Sequence, residues 1–186
     1  SVGVSLGGDL GSGILPTLYN ALLGSVDLEA RNYTYENPLT GGQRYRWHSC
    51  PCCVGNIPRT LLMAPTWAYA KDREALFVNL FIGSRINVGD VAGTEVEIVQ
   101  ETDYPWDGRV VLTLNPGAPA TFDLNIRVPQ RATSALYTAS PPVSGLLRLN
   151  VNGKPAAVHT RNGYARLRRR WKRGDTVEIE LPLPVQ

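Results

Sequence analysis

Outside residues 50–53 the chain contains no cysteine, and its three cysteines are Cys50, Cys52 and Cys53. An odd count with two neighbours in it excludes the disulfide framework of a small secreted domain. Histidine is nearly absent too, with only His48 and His159. A standalone zinc finger needs four ligands in two spaced pairs, and no second pair exists. No apolar run approaches the length that crosses a bilayer, so no membrane span is expected. Excess charge is also missing: 19 Lys and Arg against 16 Asp and Glu leave +3. The basic residues concentrate in Arg166-Leu167-Arg168-Arg169-Arg170-Trp171-Lys172-Arg173, which reads as a solvated strand edge and turn. Nucleic acid would require a broader basic face. There is no internal repeat, no low-complexity stretch and no basic-then-apolar leader. The start at Ser1, without an initiator Met, reads as that of a fragment.

What is present is an ordinary globular composition, 43% hydrophobic and 19% charged over 186 residues. That length holds one full core, or one domain with part of another. Residues 1–13 are rich in Gly and Ser and read as loop. Leu15, Leu18, Leu22 and Leu23 predict a short helix over Ile14–Val26. Asn32–Leu39 reads as extended. Asn56 is placed to cap a helix starting at Ile57-Pro58, with Leu61, Leu62 and Met63 as its apolar face and Pro65 as its interruption. The cysteines then lie just before a helix N-terminus, whose exposed amides and dipole favour negative charge.

The texture changes near residues 72/73. Residues 76–82 read as a buried strand, and period-two alternation predicts strands around 95–100, 110–114, 122–128, 147–151 and 177–181. Asp107-Gly108, Asn152-Gly153, Asn162-Gly163 and Gly174-Asp175 mark turns, the last two bounding a hairpin that carries Tyr164 and Trp171. Short alternating strands with frequent turns predict an antiparallel β-sandwich. The expected organisation is a helical segment over 1–72 and a β-sandwich over 73–186.

Chemistry concentrates at Cys50-Pro51-Cys52-Cys53. Packed thiols hold a soft metal such as zinc, act as a nucleophile, or are inert and buried; residue types alone leave all three open. Glu29 and Glu36 lie nearby and read as solvated. The four tryptophans can stack on sugars, but such residues are more often packing anchors. Trp106, in Thr102-Asp103-Tyr104-Pro105-Trp106-Asp107-Gly108, is expected to pack on the end of the sandwich.

With these residues in view, the chain resembles the β-L-arabinofuranosidases of glycoside hydrolase family 127 and their relatives. Cys52-Cys53-Val54-Gly55-Asn56-Ile57-Pro58-Arg59 resembles the family's Cys-Cys-x-x-Asn-x-x-Arg signature. Leu18-Tyr19-Asn20, Tyr35-Glu36-Asn37-Pro38-Leu39, the Tyr-Pro-Trp-Asp-Gly block, Ile126-Arg127-Val128-Pro129 and Gly163-Tyr164-Ala165-Arg166 follow in family order. The resemblance implies the last segment of an (α/α)6 barrel followed by a sandwich domain. It implies a retaining hydrolase that removes β-L-arabinofuranose from plant-type, arabinose-containing glycans. It places a zinc-bound nucleophile on Cys52, a zinc ligand on Cys53 and a sugar contact on Tyr35. Cys50 has no counterpart in the signature. The family's acid/base Glu and the Glu-x-Cys pair that completes its zinc site match nothing before Leu18. Leu15 stands where a sugar-binding Glu is expected. The upstream barrel segment is therefore expected to be missing and the isolated chain to turn over little substrate. A non-catalytic sugar-binding or structural sandwich with a vestigial cysteine cluster is the alternative, and a small zinc or thiol-redox protein a third.

Overall fold

The computed structural model describes residues 21–33, 52–129 and 145–183. The chain divides between Trp67 and Ala68 into two compact units.

In the first unit, the end of the helix expected over Ile14–Val26 is a 3-10 turn at Leu23–Ser25. Val26 then bridges Tyr33 in antiparallel fashion. Asp27 closes the loop between them: its carboxylate accepts from the Arg31 amide at 2.8 Å and from Asn32 Nδ2 at 2.7 Å. The Asn32 bond, then the Arg31 amide, hold this carboxyl below its usual range.

Helix α1 spans Cys52–Trp67. It begins earlier than Asn56 and Pro58 predict. Both Pro58 and Pro65 lie inside it, although proline removes a helix donor and is best tolerated in the first turn. Thr60 Oγ1 donates to the Asn56 carbonyl and Thr66 Oγ1 to that of Met63. The apolar face also differs from expectation. Ile57 and Ala64 are buried and Leu61 half-buried, whereas Leu62 and Met63 are exposed. Burial follows the i, i+4, i+7 stripe rather than the local run of apolar residues.

The second unit is a β-sandwich with eleven strands among the described residues: β1 Tyr69–Lys71, β2 Ala75–Val78, β3 Ser84–Val91, β4 Thr94–Thr102, β5 Arg109–Pro116, β6 Ala120–Arg127, β7 Arg148–Val151, β8 Lys154–Pro155, β9 Thr160–Arg161, β10 Tyr164–Trp171 and β11 Asp175–Glu180. One sheet has the order β1-β2-β6-β10-β9 and the other β3-β4-β5-β11-β7-β8. Among the described strands pairing is antiparallel except between β2 and β6, which run parallel. The sheet begins at Tyr69, since β1 pairs with β2. Residues 69–71 thus belong with the strands, although three residues are too few for alternation to reveal them.

One core joins the two sheets. Leu76, Val78, Phe122, Leu124, Ile126 and Trp171 from the first meet Val96, Ile98, Leu112, Leu114, Leu149, Val177 and Ile179 from the second. Period-two patterning produces this, because alternate residues of each strand point to the same side. Trp171 is fully buried and donates its Nε1–H to the Phe122 carbonyl at 3.0 Å. The Arg169 guanidinium lies over its ring, 5.1 Å from the centroid.

A buried polar tie sits beside this core. Gln100 Nε2 lies 2.7 Å from the Ile82 carbonyl, 3.2 Å from that of Leu80 and 3.0 Å from the Tyr69 hydroxyl. Tyr69 Oη also shares a hydrogen with Ser84 Oγ at 2.7 Å. Burial raises the Tyr69 phenol above its ordinary value, opposed by these two hydrogen bonds.

The hairpin expected from Asn162-Gly163 to Gly174-Asp175 is not formed. Asn162-Gly163 joins β9 to β10, with both residues at positive φ, as a two-residue hairpin turn requires. β10 pairs with β6 and β9, while β11 pairs with β5 and β7 in the other sheet. The turn at Lys172–Gly174 therefore carries the chain from one sheet to the other. The basic run follows β10, which from Leu167 to Trp171 pairs only with β6 among the described residues. Arg166 and Arg168 reach the buried Asp123 carboxylate at 2.7 and 3.3 Å. The Asp123 hydrogen bond, then its charge, raise the Arg166 guanidinium further.

Candidate active site

Cys52 is the first residue of α1, and it is exposed. The cysteine pair therefore lies in the first turn of the helix rather than ahead of it. First-turn amides lack intrahelical acceptors, so this end of a helix suits an anionic group.

The signature residues have a simple geometric relation. Cys52, Asn56 and Arg59 stand at i, i+4 and i+7 of one helix, which places them on one face. All three are exposed. The buried stripe of Ile57, Leu61 and Ala64 starts five residues after Cys52, more than a right angle around the helix from it. Arg59 Nη1 donates to Asn56 Oδ1 at 2.6 Å. This contact fixes two long polar side chains along the same face as the thiol. Asn56, expected to be a cap, instead holds the arginine. The spacing could have shown this, because i, i+4, i+7 is itself the helical repeat.

Cys53 follows Cys52 in the same turn. Tyr35, His48, Cys50 and Glu36 lie outside the described residues. Among the described residues no group of three or more His, Cys, Asp or Glu is gathered as a metal site. Two adjacent thiols suit zinc chemically, but a structural or catalytic zinc takes three or four protein ligands. By residue type Cys52 and Cys53 could supply two of these ligands, and among the described residues nothing completes the set.

The second noteworthy block lies in the β unit. Between β4 and β5 the chain turns at Asp103–Gly108, with the Trp106 and Asp107 amides donating to the Asp103 carbonyl at 2.8 and 3.3 Å. Asp107 Oδ1 accepts from the Arg109 amide at 2.9 Å. Gly108 allows a close backbone approach: Leu181 N donates to its carbonyl, and a Cβ there would collide with the Leu181 carbonyl. Tyr104 packs edge-on against Phe81, centroids 5.8 Å apart. Trp106 does not pack as expected. It is 89% exposed. In this block Tyr104 is the packing anchor.

Comparison with known proteins gives this arrangement its context. Residues 75–183 match the model of the β-L-arabinofuranosidase GH127 middle domain. Residues 16–65 match the GH127 catalytic domain. The chain belongs to the β-L-arabinofuranosidase family GH127. Among its relatives is the non-reducing end β-L-arabinofuranosidase of Bifidobacterium longum subsp. longum, 28% identical over 89% of this chain. A GH127 β-L-arabinofuranosidase from Geobacillus stearothermophilus T6 superposes with a TM-score of 0.83 and 31% identity over 98% of this chain. A further GH127 β-arabinofuranosidase gives 0.82 and 27% over 95%. The chain spans 26% of the length of the Bifidobacterium enzyme and 29% of each of the two solved structures. The order expected from the sequence, a short helical part followed by a β-sandwich, is the order in this GH127 chain. The cysteine signature falls within the catalytic-domain match, and the Tyr-Pro-Trp-Asp-Gly block within the middle-domain match.

Proposed function

We propose that this chain supplies the nucleophile-bearing part of a retaining GH127 hydrolase that releases β-L-arabinofuranose from plant-type glycans. The observation that carries the proposal is the exposed face of α1, with Cys52 at its first position and the Asn56–Arg59 pair behind it. On this reading Cys52 Sγ attacks the anomeric carbon. The new S–C bond forms as the glycosidic C–O bond breaks, and the leaving oxygen takes a proton from an acid. Water then adds to the same carbon from the opposite direction and restores the thiol side chain, so configuration is retained. Arg59, held by Asn56, lends positive charge to the face on which the thiolate stands. Tyr35 contacts the sugar.

Cys52 and Cys53 would supply two thiolates to a zinc ion, which when bound keeps a coordinating thiol deprotonated. The remaining ligands and the acid would come from an upstream (α/α)6-barrel segment. Proton transfer to a leaving group contributes about 10²–10⁴-fold in rate. The 186-residue chain on its own therefore turns over little substrate. The test joins the chain to an upstream family barrel and follows release from an aryl β-L-arabinofuranoside. Cys52→Ser lowers kcat/KM by at least about 10³-fold if the thiol is the nucleophile. Undiminished turnover in that variant overturns the assignment.

A further inference from the structure

We infer that Trp106 is a carbohydrate-stacking site on the β-sandwich. Tryptophan is among the most buried residues on average, and in this fold Trp171 follows that rule at 0% exposure. Trp106 is 89% exposed, at the tip of a turn that does not need its ring. The turn is closed by the Asp103 carbonyl, by Asp107 Oδ1 on the Arg109 amide, and by Thr102 Oγ1, which accepts from the Tyr104 amide and donates to the Arg109 carbonyl. Tyr104 anchors it on Phe81. The indole is thus presented outward from a fixed backbone, which lowers the entropy lost when a ligand lies on it.

The surroundings identify the ligand class. Asp103 and Asp107 belong to the same turn as Trp106 and are exposed, and the Asp103 carboxylate makes no hydrogen bond among the described residues. An ionised carboxylate only accepts hydrogen bonds. An apolar ring face beside free acceptors complements a molecule with a C–H face and a rim of hydroxyl donors, which is the chemistry of a sugar. It repels phosphates and other anions. The class is a neutral oligosaccharide. Its identification as an arabinofuranosyl oligosaccharide rests on the function proposed above.

The test uses the full 186-residue chain and calorimetric titration with a β-L-arabinofuranosyl oligosaccharide, and in parallel with xylan and β-glucan oligosaccharides. Saturable binding is expected in the millimolar range (~10⁻³ M) typical of a small, solvent-open site. Trp106→Ala weakens it at least about tenfold, Trp106→Phe retains most of it, and Asp103→Asn falls between. Thermal midpoints of the variants stay within about 2 °C of the parent, so misfolding does not mimic the effect. An unchanged affinity in Trp106→Ala, or no saturation of the parent by any of the three glycans, overturns the site. Trp106-dependent binding of xylan or β-glucan pieces but not of arabinofuranosides keeps the stacking site and overturns its arabinofuranosyl assignment. Neither result bears on Cys52, which the activity assay tests separately.

Discussion

The two units of this chain differ in where they keep their polar chemistry. In the β-sandwich buried polar side chains are tied to the fold, Gln100 Nε2 to Tyr69, Leu80 and Ile82, Trp171 to Phe122 and Asp123 Oδ2 to Arg166 and Arg168, although Gln100 Oε1, Asp123 Oδ1 and Asn150 Oδ1 find no partner among the described residues. On α1 the signature residues Cys52, Asn56 and Arg59 stay exposed, and a separate stripe is buried. Packing in one unit and reactive groups in the other predict that stability and chemistry respond to different substitutions. A change on the exposed face of α1 should alter reactivity with little cost to folding. A change in the sandwich core should do the reverse.

The sharpest way to break this separation is Trp171→Ala. It empties a fully buried site and leaves the Phe122 carbonyl without its donor. The expected loss is about 3–5 kcal/mol. Denaturant unfolding followed by far-ultraviolet circular dichroism measures it, and a loss below about 1 kcal/mol would mean that the core does not rest on this residue. Next comes Gln100→Leu, similar in volume but without the amide. It strips donors from the Leu80 and Ile82 carbonyls and from Tyr69, for about 1–3 kcal/mol. The same unfolding experiment checks it, and a stabilised variant would show that the polar tie is dispensable.

Arg59→Ala probes the opposite side of the comparison. It removes the partner of Asn56 from an exposed face. Folding stability should move by no more than about 0.5 kcal/mol. The rate of Cys52 alkylation by iodoacetamide at neutral pH should fall, because a positive charge near a thiol favours the reactive thiolate. An unchanged rate would remove Arg59 from the proposed site. The smallest effect belongs to the Arg109–Glu178 pair on the surface of the sandwich, with Nη2 and Oε1 2.8 Å apart. The Arg109 hydrogen bond, against a smaller desolvation, holds the Glu178 carboxyl below its ordinary value of 4.5. Its contribution is therefore present above pH 4.5 and is lost as pH falls through the lower folded value. Glu178→Gln should lower stability slightly at neutral pH, and this difference should vanish as the pH falls and the contribution of the native carboxylate is lost. A larger change under acid than at pH 7 would contradict that sign.

How much of this was readable in the chain depends on local pattern. β4, β5, β6, β7 and β11 were visible because each buries alternate apolar residues. β3 was not. It carries Asn87, Gly89 and Asp90, has a register shift between Asn87 and Gly89, and among the described residues pairs on one side only, so few of its residues need to be apolar. The crossing between β10 and β11 was hidden because Gly174-Asp175 looks locally like a hairpin turn, and sheet membership is decided by distant partners. At the cysteine block, the residue types and the family signature were plain. The start of α1 was misplaced because Pro58 looked like a first-turn residue. With the start misplaced, the shared face of Cys52, Asn56 and Arg59 was not visible. Trp106 was misjudged for a similar reason: sequence gives the turn but does not show which aromatic, Tyr104 or Trp106, faces inward.

The central claim is that the Cys52 sulfur forms a bond to the sugar. Rapid quenching of a hydrolase carrying this chain, mixed with an aryl β-L-arabinofuranoside, followed by peptide mass spectrometry, tests it most directly. The account predicts one pentosyl unit on the peptide containing Cys52, absent in Cys52→Ala, and release of arabinose with retained configuration. A sugar attached to a carboxylate instead, or an inverted product with no adduct, would contradict it.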